Sequence, residues 1–306
     1  MPQLPSLEAV YGAPPAGLAN PAPDAVQVSP LVVGAAAIED LADASLARFI
    51  VLAPPGTLER RYVLAHALRA LGPGGELVAL APKAMGGARL SKELASFGCE
   101  VREDARRHHR ICRCVRPDAP AGVEDAIARG GPQRVPALGL WSQPGVFAWD
   151  RLDPGSALLL AQPWAPEGAG ADLGCGAGVL ARQMLVSPAV TSLVLIDLDQ
   201  RAIAAARRNI ADPRASFLRH DLHSRPQAIA DLDFAIMNPP FHDAGAEDRK
   251  LGQAFVSAAA TMLKTGGALR MVANVALSYE TVLAIHFRET RLLVREGGYK
   301  VLEARK

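Results

Sequence analysis

Apolar runs alternate with amphipathic segments along most of the chain. In the first half, residues 49–53 and 76–81 have the pattern of buried strands, and residues 57–71 and 90–97 have that of helices. The second half repeats this alternation with more clearly recognisable motifs. Strands and helices in alternation predict βαβ units and a largely parallel sheet. The pattern therefore places the whole chain in the α/β class.

The most informative stretch is the one that ends in Asn238, Pro239, Pro240 and Phe241. Residues 234–237 predict a buried strand, which the two prolines must end because they cannot donate to the ladder. Asn238 should then face the space above the sheet edge, where open α/β sheets bind ligands. Its acceptor groups would suit an exocyclic amino group, and the phenyl ring could stack on a flat base. An ordinary strand that ends at a proline is the alternative interpretation.

A glycine-rich turn containing Gly174, Gly176 and Gly178 lies between a short predicted strand and a predicted helix. Glycine permits a tight turn and lets a ligand lie against the backbone near a helix N-terminus. The turn also fits a dinucleotide fingerprint. Asp172, two residues before the first glycine, instead favours a cofactor that carries an ammonium group.

Two further acids follow predicted strands. Asp197 ends the apolar run of residues 192–196, at the distance downstream where a ribose-binding acid is expected. Asp221 follows the run of residues 215–219, where an acid can accept a hydrogen bond from an adenine amino group. Each acid alone could simply cap the next helix. Acids at three successive strand ends favour a nucleoside-containing cofactor.

Composition bounds the class of protein. The chain has 306 residues, enough for two domains that each bury a core, and its formal net charge of +2 confines any nucleic-acid contact to local patches. Its four cysteines show neither a disulfide framework nor the spacing of a zinc site, so we expect a reducing compartment and no metal. No apolar run approaches the length needed to span a membrane. We therefore expect a cytoplasmic protein without membrane contact.

We expect three segments along the chain. Residues 1–26, rich in proline and alanine, are predicted to be a flexible leader; residues 27–134 form a first domain and residues 135–306 a second. A stretch rich in proline, alanine and glycine, residues 117–136, is predicted to link the two domains.

The two domains also resemble each other. Residues 49–56 can be laid on residues 234–241, and residues 71–82 on residues 263–274. This alignment places Ala53 at the position of Asn238 and Gly56 at that of Phe241. Chance matches of Gly-Gly and Pro-Pro, in a chain with 27 glycines and 24 prolines, are the alternative explanation. A genuine duplication would leave the first copy chemically inactive, with a role in support or substrate contact.

The second domain resembles the class I S-adenosylmethionine-dependent methyltransferases, and more narrowly the bacterial ribosomal RNA guanine-N2 methyltransferases of the RsmC/RlmG type. The motifs that carry this resemblance are residues 142–156, residues 238–243 and residues 266–274 with the Leu277 and Tyr279 that follow. The family implies two Rossmann-like methyltransferase domains in tandem. The N-terminal one is degenerate, and the C-terminal one has a seven-stranded, mostly parallel sheet with helices on both faces.

The resemblance also implies a reaction and its residues. S-adenosylmethionine would be the cofactor, and the exocyclic N2 amine of a guanine in ribosomal RNA would be the target, with the small subunit favoured; ribosomal RNA or a ribosomal subunit is thus the expected partner of a monomeric enzyme. By the family's motifs, the methionine end of the cofactor would bind at Asp172, Gly174, Gly176 and Gly178. Asp197 would bind its ribose, and Asp221 its adenine. The target base would bind at Asn238, Pro239 and Phe241, and Asn238 would also border the cofactor.

Other functions stay open on the residues alone. Adenine-N6 and protein glutamine-N5 methyltransferases use the same arrangement, although they more often have tyrosine at the position of Phe241. A nicotinamide-dependent oxidoreductase would need a hydride-side catalytic acid, which the sequence does not suggest. A non-catalytic RNA-binding protein is a third alternative, disfavoured by the acids at all three strand ends. His242 could accept the proton released on transfer or contact phosphate.

Overall fold

The computed structural model describes residues 7–224, 229–240 and 246–306. The chain forms two compact units. The first extends from the start of the described chain to Pro132 and includes Gln143–Gly145; the second comprises Gln133–Ser142 and Val146–Lys306. The predicted boundary at residue 134 thus falls inside a short strand of the second unit. In the part of the chain that the structure describes, every helix is too short or too polar to cross a membrane.

The first unit is built on one mixed sheet. Its described elements are β1 (Glu8–Tyr11), β2 (Val26–Gln27), β3 (Leu46–Leu52), α1 (Thr57–Ala70), β4 (Leu71–Pro82), α2 (Gly87–Ser96), β5 (Arg102–Arg106), β6 (His109–Val115) and α3 (Val123–Gly130). The strand order is β2-β1-β3-β4-β6-β5, in which β6 runs antiparallel to both of its neighbours and the other pairs are parallel.

The prediction of a flexible leader over residues 1–26 is wrong for its described part. β1 lies inside the sheet, between β2 and β3, and Ala9 is fully buried. Leu18 and Ala19, in the connection that follows, pack against the face of the sheet that carries Ile50 and Leu80. A four-residue strand followed by prolines has too short an apolar run to be recognised, and its pairing with β2 and β3 makes it a strand.

The predicted linker over residues 117–136 is also wrong in part. Residues 123–130 form α3, which packs on α1 so closely that a Cβ atom at Gly130 would lie 2.3 Å from the Cβ of Tyr62. A glycine-rich sequence permits this close packing, whereas composition alone suggests only flexibility.

The second unit contains a larger sheet and a small hairpin. Its described elements are β7 (Gln133–Val135), β8 (Leu140–Ser142), α4 (Pro154–Leu160), β9 (Gly168–Leu173), α5 (Val179–Met184), β10 (Val190–Asp197), α6 (Gln200–Asn209), β11 (Ala215–Arg219), β12 (Leu232–Met237), α7 (Ala246–Met262), β13 (Leu263–Asn274), α8 (Tyr279–His286), β14 (Glu289–Glu296) and β15 (Tyr299–Arg305). The described strands of the large sheet have the order β11-β10-β9-β12-β13-β15-β14, with only β15 antiparallel to its neighbours.

Helices cover both faces of this sheet. Along β12, Phe234 and Ile236 join a core with α4, α5 and α6, whereas Ala235 and Met237 join the opposite core with α7 and α8. Consecutive residues of a strand point to opposite faces, so both sets of apolar residues are needed. The predicted fold class, two α/β domains of which the second has a seven-stranded, mostly parallel sheet, is confirmed.

The two sheets correspond strand by strand. The first sheet repeats the order of the second from β10 to β14, and β11 has no described counterpart. β4 and β13 are both twelve residues long and begin with an exposed turn, in which Gly74 and Gly266 have φ angles of 76° and 83°. The strand pairing therefore supports the internal repeat inferred from sequence.

The sequence alignment of the repeat is one residue out of register. Phe49 pairs with Leu77 in the first sheet, and Ala235 pairs with Leu269 in the second. Both leucines lie two residues after their Gly-Gly pair, so Phe49 corresponds to Ala235 and not to Phe234. A shift of one residue moves a side chain to the other face of a sheet, and Phe49 indeed belongs to the core of α1 and α2.

Arg60 is fully buried beside the Pro-Pro turn of the first unit. Its Nε and Nη2 atoms donate to Glu93, each at 2.6 Å. Its Nη1 donates to the carbonyl oxygens of Pro54 and Pro55, at 3.1 and 2.7 Å. The guanidinium thus provides hydrogen-bond donors for the carbonyl oxygens of Pro54 and Pro55, in a turn where the proline nitrogens carry no hydrogen to donate.

We expect Arg60→Met to lower the free energy of unfolding of the first unit by about 3–5 kcal/mol, because the buried Glu93 loses its partner. Hydrogen exchange of the amides in α1 and α2 should report this loss directly. Arg61→Met is the matched control, since Arg61 bonds Ser96 at the surface and lies over the Phe97 ring; it should cost about 1 kcal/mol or less. Equal losses in the two variants would contradict the role given to the buried pair.

Candidate active site

Three neighbouring parallel strands end at one edge of the second sheet. β9 lies between β10 and β12, and the three strands carry Asp172, Asp197 and Asn238 at or just beyond their carboxyl ends. In open α/β sheets this edge forms the crevice in which ligands bind. The predicted convergence of these side chains is therefore a property of the strand order.

The glycine turn connects β9 to α5 in a conformation that other residues adopt with strain. Gly174, Gly176 and Gly178 have φ angles of 72°, 53° and 86°, all in the left-handed region. A Cβ atom at Gly178 would meet Ile210 at 2.9 Å, whereas at Gly176 it would meet no atom within 4 Å. Gly178 is thus required by packing, while the open space at Gly176 leaves the backbone accessible to a ligand.

Asp197 fixes the glycine turn from behind. Its Oδ2 accepts a hydrogen bond from the amide of Gly176 and its Oδ1 one from the amide of Asp199, each at 2.9 Å. Burial raises the pKa of Asp197 to about 6, against the stabilising effect of these two amides. The contact with the turn fits the predicted ribose-binding position, and the ribose role stays a prediction.

Asp172 lies beneath the turn and is fully buried. Its Oδ2 accepts from the amide of Ala181 in α5 at 3.0 Å, and its Oδ1 has no hydrogen-bond partner among the described residues. Burial, with the charge of Asp197 as a smaller contribution, raises the pKa of Asp172 to about 7. An unsatisfied buried carboxylate oxygen favours a nearby cationic ligand, but direct contact with a cofactor ammonium group stays a prediction.

Asp221 stands apart from the cleft. It follows β11, and its half-exposed carboxylate accepts hydrogen bonds from the amide and the ring Nδ1 of His223. Burial alone would raise the pKa of Asp221, but these bonds from His223 lower it below its ordinary value. Its predicted role at the adenine is not tested by this geometry.

Asn238 follows β12 with 9% of its surface exposed. Its Nδ2 donates to Asp153 Oδ2 at 2.8 Å and to Ser156 Oγ at 2.9 Å, and its Oδ1 is buried without a hydrogen-bond partner in the described part of the chain. An ionised carboxylate can only accept, so this network assigns nitrogen and oxygen of the amide. The acceptor predicted from sequence is therefore present. Pro239 follows directly, and Phe241 and His242 lie outside the described residues.

Asp153 and Ser156 are functional candidates that the sequence reasoning missed. They belong to Asp153-Pro154-Gly155-Ser156, in which the Asp153 carboxylate caps α4 by accepting from the Ser156 amide at 2.8 Å and proline occupies the first turn. A Cβ atom at Gly155 would meet Tyr299 at 2.9 Å and Asp153 Oδ2 at 3.0 Å. The cap-and-proline pattern announces a helix start, but no pattern in the sequence links it to Asn238, 85 residues away.

One cleft joins the glycine turn to Asn238. Its empty volume, including the part that is open to solvent, is about 470 Å³. Of the predicted residues, Gly174, Gly176 and Asn238 line it, together with Leu138, Phe147, Ala148, Arg151, Leu152, Asp153, Ser156, Cys175, Ala177, Val179 and Leu180. The phenyl ring of Phe147 is half exposed at this cleft. A ligand on the turn and a flat group at Asn238 would therefore share one space, while Asp172, Asp197 and Gly178 support the turn from outside the lining.

Asn209 links the small hairpin to this turn. Its Nδ2 donates to the carbonyls of Trp141 in β8 and Ala177 in the turn, at 2.8 and 2.9 Å, and its Oδ1 accepts from the Trp141 amide at 2.7 Å. The side chain at the end of α6 thereby holds the hairpin and the glycine turn in fixed relation.

The described residues of the first unit carry neither the acids nor the amide of this site at the corresponding positions. Strand register assigns a counterpart to each residue. Val10 is paired with Ile50 in the first sheet in the same way as Asp172 is paired with Ile236 in the second, so Val10 corresponds to Asp172. Gln27, which pairs with Val10, then corresponds to Leu195, which pairs with Asp172. At the positions of Asp172, Asp197 and Asn238 the first unit has, respectively, Val10, Ser29 and Leu52. The residue opposite Asn238 is thus Leu52, not the Ala53 of the sequence alignment.

Comparisons with known proteins agree with this geometry. The model of the family described as "Methyltransferase small domain" matches residues 137–303. The chain is similar to proteins named ribosomal RNA small subunit methyltransferase C: it is 34% identical to that of Pseudomonas paraeruginosa over 265 residues, covering 84% of this chain and 78% of the relative, and 33% identical to that of Stutzerimonas stutzeri over 266 residues, covering 83% and 78%.

A solved structure is similar over nearly the same span. It is the T. thermophilus 16S rRNA N2 G1207 methyltransferase (RsmC) in complex with AdoMet and guanosine, with 27% identity and a TM-score of 0.73 over 88% of this chain and 75% of that one. The chain therefore belongs to the methyltransferase small domain family, as an S-adenosylmethionine-dependent methyltransferase of the RsmC type.

Proposed function

We propose that the chain transfers the methyl group of S-adenosylmethionine to the exocyclic N2 amine of a guanine in small-subunit ribosomal RNA. The observation that carries this proposal is Asn238, which lines the cleft shared with the glycine turn and whose buried Oδ1 has no hydrogen-bond partner among the described residues. The relatives of this chain are named as small-subunit ribosomal RNA methyltransferases, and the similar solved structure holds AdoMet and guanosine. A guanine amine is a ligand that this acceptor fits.

The residues present fit the cofactor. The open backbone at Gly176 and the glycine conformations give room for a ligand, and the carboxylates of Asp172 and Asp197 give the turn a negative charge when they are ionised. S-adenosylmethionine, when bound, supplies an electrophilic methyl group on a positively charged sulfur. Those acids, together with Gly174 and Gly178, are the residues we propose to hold it, with Asp221 at the adenine.

Asn238 would act by orienting the target amine. The lone pair of a guanine amine is delocalised into the ring, which makes it a poor nucleophile. An N–H group bonded to Oδ1 of Asn238, with the carbonyl of Asn238 or Pro239 accepting the second hydrogen, would hold the two hydrogens away from the ring plane and free the lone pair. The nitrogen becomes acidic only as the new bond forms, so no strong base is needed before attack. Positioning of this kind contributes up to roughly 7–11 kcal/mol in ideal cases.

We also propose the setting in which this reaction occurs. The chain would act as a monomer in the cytoplasm, on ribosomal RNA or on a ribosomal subunit. The first unit, with Val10, Ser29 and Leu52 at the positions of the polar residues, would contribute support or RNA contact and no chemistry.

The direct test is methylation with labelled S-adenosylmethionine of small subunits, free small-subunit RNA and large subunits, each from a strain without the corresponding enzyme. Digestion to nucleosides should give labelled N2-methylguanosine from one small-subunit substrate. Label found instead in N6-methyladenosine or in a protein glutamine would identify adenine or glutamine, and not guanine, as the target. Absence of label from all ribosomal substrates would refute the proposal.

Asn238→Ala should lower turnover by about a hundredfold, by analogy with removal of one preorganised polar group, while cofactor affinity stays within about threefold. The reason is that the variant loses the acceptor for the target amine but leaves the glycine turn unchanged. Single-turnover rates with saturating RNA, and calorimetric titration with the cofactor, measure the two quantities separately. Wild-type turnover in a folded variant would show that this acceptor has no role.

Cofactor affinity should fall at low pH. The raised pKa values of Asp172, about 7, and of Asp197, about 6, mean that both carboxyls become protonated between pH 7.5 and pH 5.5. The turn then loses the negative charge that attracts the sulfonium and ammonium groups, so the dissociation constant should rise about tenfold or more over this range. Titrations in buffers of different ionisation enthalpy should show proton release on binding near pH 6.5.

Asp197→Asn is the control for this pH dependence. It should bind the cofactor more weakly at pH 7.5 and show a smaller change of affinity between the two pH values, because one of the two titrating groups is gone. An affinity of the wild-type protein that does not change with pH would contradict the assignment of these acids to the cofactor site.

A further inference from the structure

We infer that Asp153 is a positioning residue for the methyl transfer: its carboxylate obliges the amide of Asn238 to face the target base with its oxygen. This inference rests on the proposed function, because it explains how the acceptor for the amine is kept in place. Asp153 Oδ2 accepts from Asn238 Nδ2 at 2.8 Å, and both residues line the same cleft.

A primary amide has nearly the same shape in its two orientations, so its neighbours decide which one is populated. If the amide of Asn238 rotated by half a turn, its oxygen would contact a carboxylate oxygen that cannot donate. That orientation would lose the hydrogen bond and add electrostatic repulsion in a largely buried place. It would also present an NH2 group to the target amine, so two donors would face each other and the lone pair would not be freed.

Ser156 cannot impose this choice alone. Its hydroxyl lies 2.9 Å from Asn238 Nδ2 and accepts from it, but a hydroxyl can also donate, so it would bind the amide in either orientation. The charge of Asp153 therefore decides the direction, and the hydroxyl adds a second contact.

The orienting carboxylate is itself fixed by the fold. The same Oδ2 atom accepts from the Ser156 amide at 2.8 Å as the cap of α4, and Gly155 leaves the space that the carboxylate occupies. The cap and the orienting contact can nevertheless be separated by substitution. Serine caps a helix about as well as aspartate, but its shorter side chain does not extend to Asn238. In Asp153→Asn, the amide oxygen can take the place of Oδ2 and serve both contacts.

We therefore expect Asp153→Ser to lower turnover about tenfold or more by the loss of a preorganised contact, with cofactor affinity unchanged within about threefold and a melting temperature within about 3 °C of wild type. Asp153→Asn should keep turnover within about threefold of wild type, because its oxygen replaces Oδ2. Asp125→Ser, the same exchange on an exposed surface of α3, is the matched control for serine itself.

A double variant separates orientation from general damage to the site. Asn238→Asp alone places two carboxylates in contact and should lose turnover. Asp153→Ser/Asn238→Asp should be more active than either single variant, because the two oxygens of a carboxylate are equivalent and need no orienting. Its advantage should be about threefold or more, which is well above the scatter expected when independent effects add.

The outcomes distinguish a failure of the proposed function from a failure of the positioning role of Asp153. Wild-type protein that methylates no guanine refutes the proposed function. Wild-type protein that methylates guanine, together with full turnover in Asp153→Ser or a double variant in which the two losses simply add, overturns the positioning role alone. A strongly impaired Asp153→Asn variant would also overturn it, since the loss would then follow charge and not the direction of the amide.

Discussion

The hydrogen bonds from Asn238 Nδ2 are the interaction on which the site depends. They use up the donor half of the amide on Asp153 and Ser156, and thereby leave an acceptor without a partner among the described residues. A buried acceptor in this state is costly to the protein alone, and this cost is the basis on which we propose that it receives a group from outside. The strand order then ensures that this acceptor shares a cleft with the glycine turn.

At the glycine turn, the buried groups are carboxylates, and their charge takes the part that the unpaired acceptor has at Asn238. Burial raises the pKa of both Asp172 and Asp197, and the charge of Asp197 adds to the increase at Asp172. Both acids accept hydrogen bonds from backbone amides, Asp197 from Gly176 in the turn and Asp172 from Ala181 in α5. Glycine conformation sets the shape of the turn, and the acids beneath it set its potential. In the arrangement that we propose, the cofactor would bind to the backbone of the turn, while the acids lie outside the cleft lining.

Sequence patterns identified the parts of this site that are local. A strand ended by prolines, a glycine turn and an acid at a strand end can each be recognised within ten residues, and the positions of Asn238, Gly176 and Asp197 at one sheet edge were predicted in this way. The role of Asp153 was not, because its partner lies 85 residues away and its local pattern already has a structural explanation as a helix cap. β1 was mistaken for a leader because its strand character comes from its pairing with β2 and β3. The alignment of residues 49–56 on residues 234–241 was one residue out of register at Leu52, because it matched similar residue types and did not consider which face of the sheet each side chain occupies.

The buried Arg60 bears on the history of the two units. In the register of the two sheets, Pro54 and Pro55 correspond to Pro240 and Phe241. The first unit supplies Arg60 as a permanent donor to the carbonyls of Pro54 and Pro55 and balances that cation with Glu93. These carbonyl acceptors are therefore occupied from within the first unit by an ion pair that belongs to its core. Exchanging Val10, Ser29 and Leu52 for the acids and the amide of the second unit would leave that ion pair in place, so the exchange would not by itself reproduce the second site.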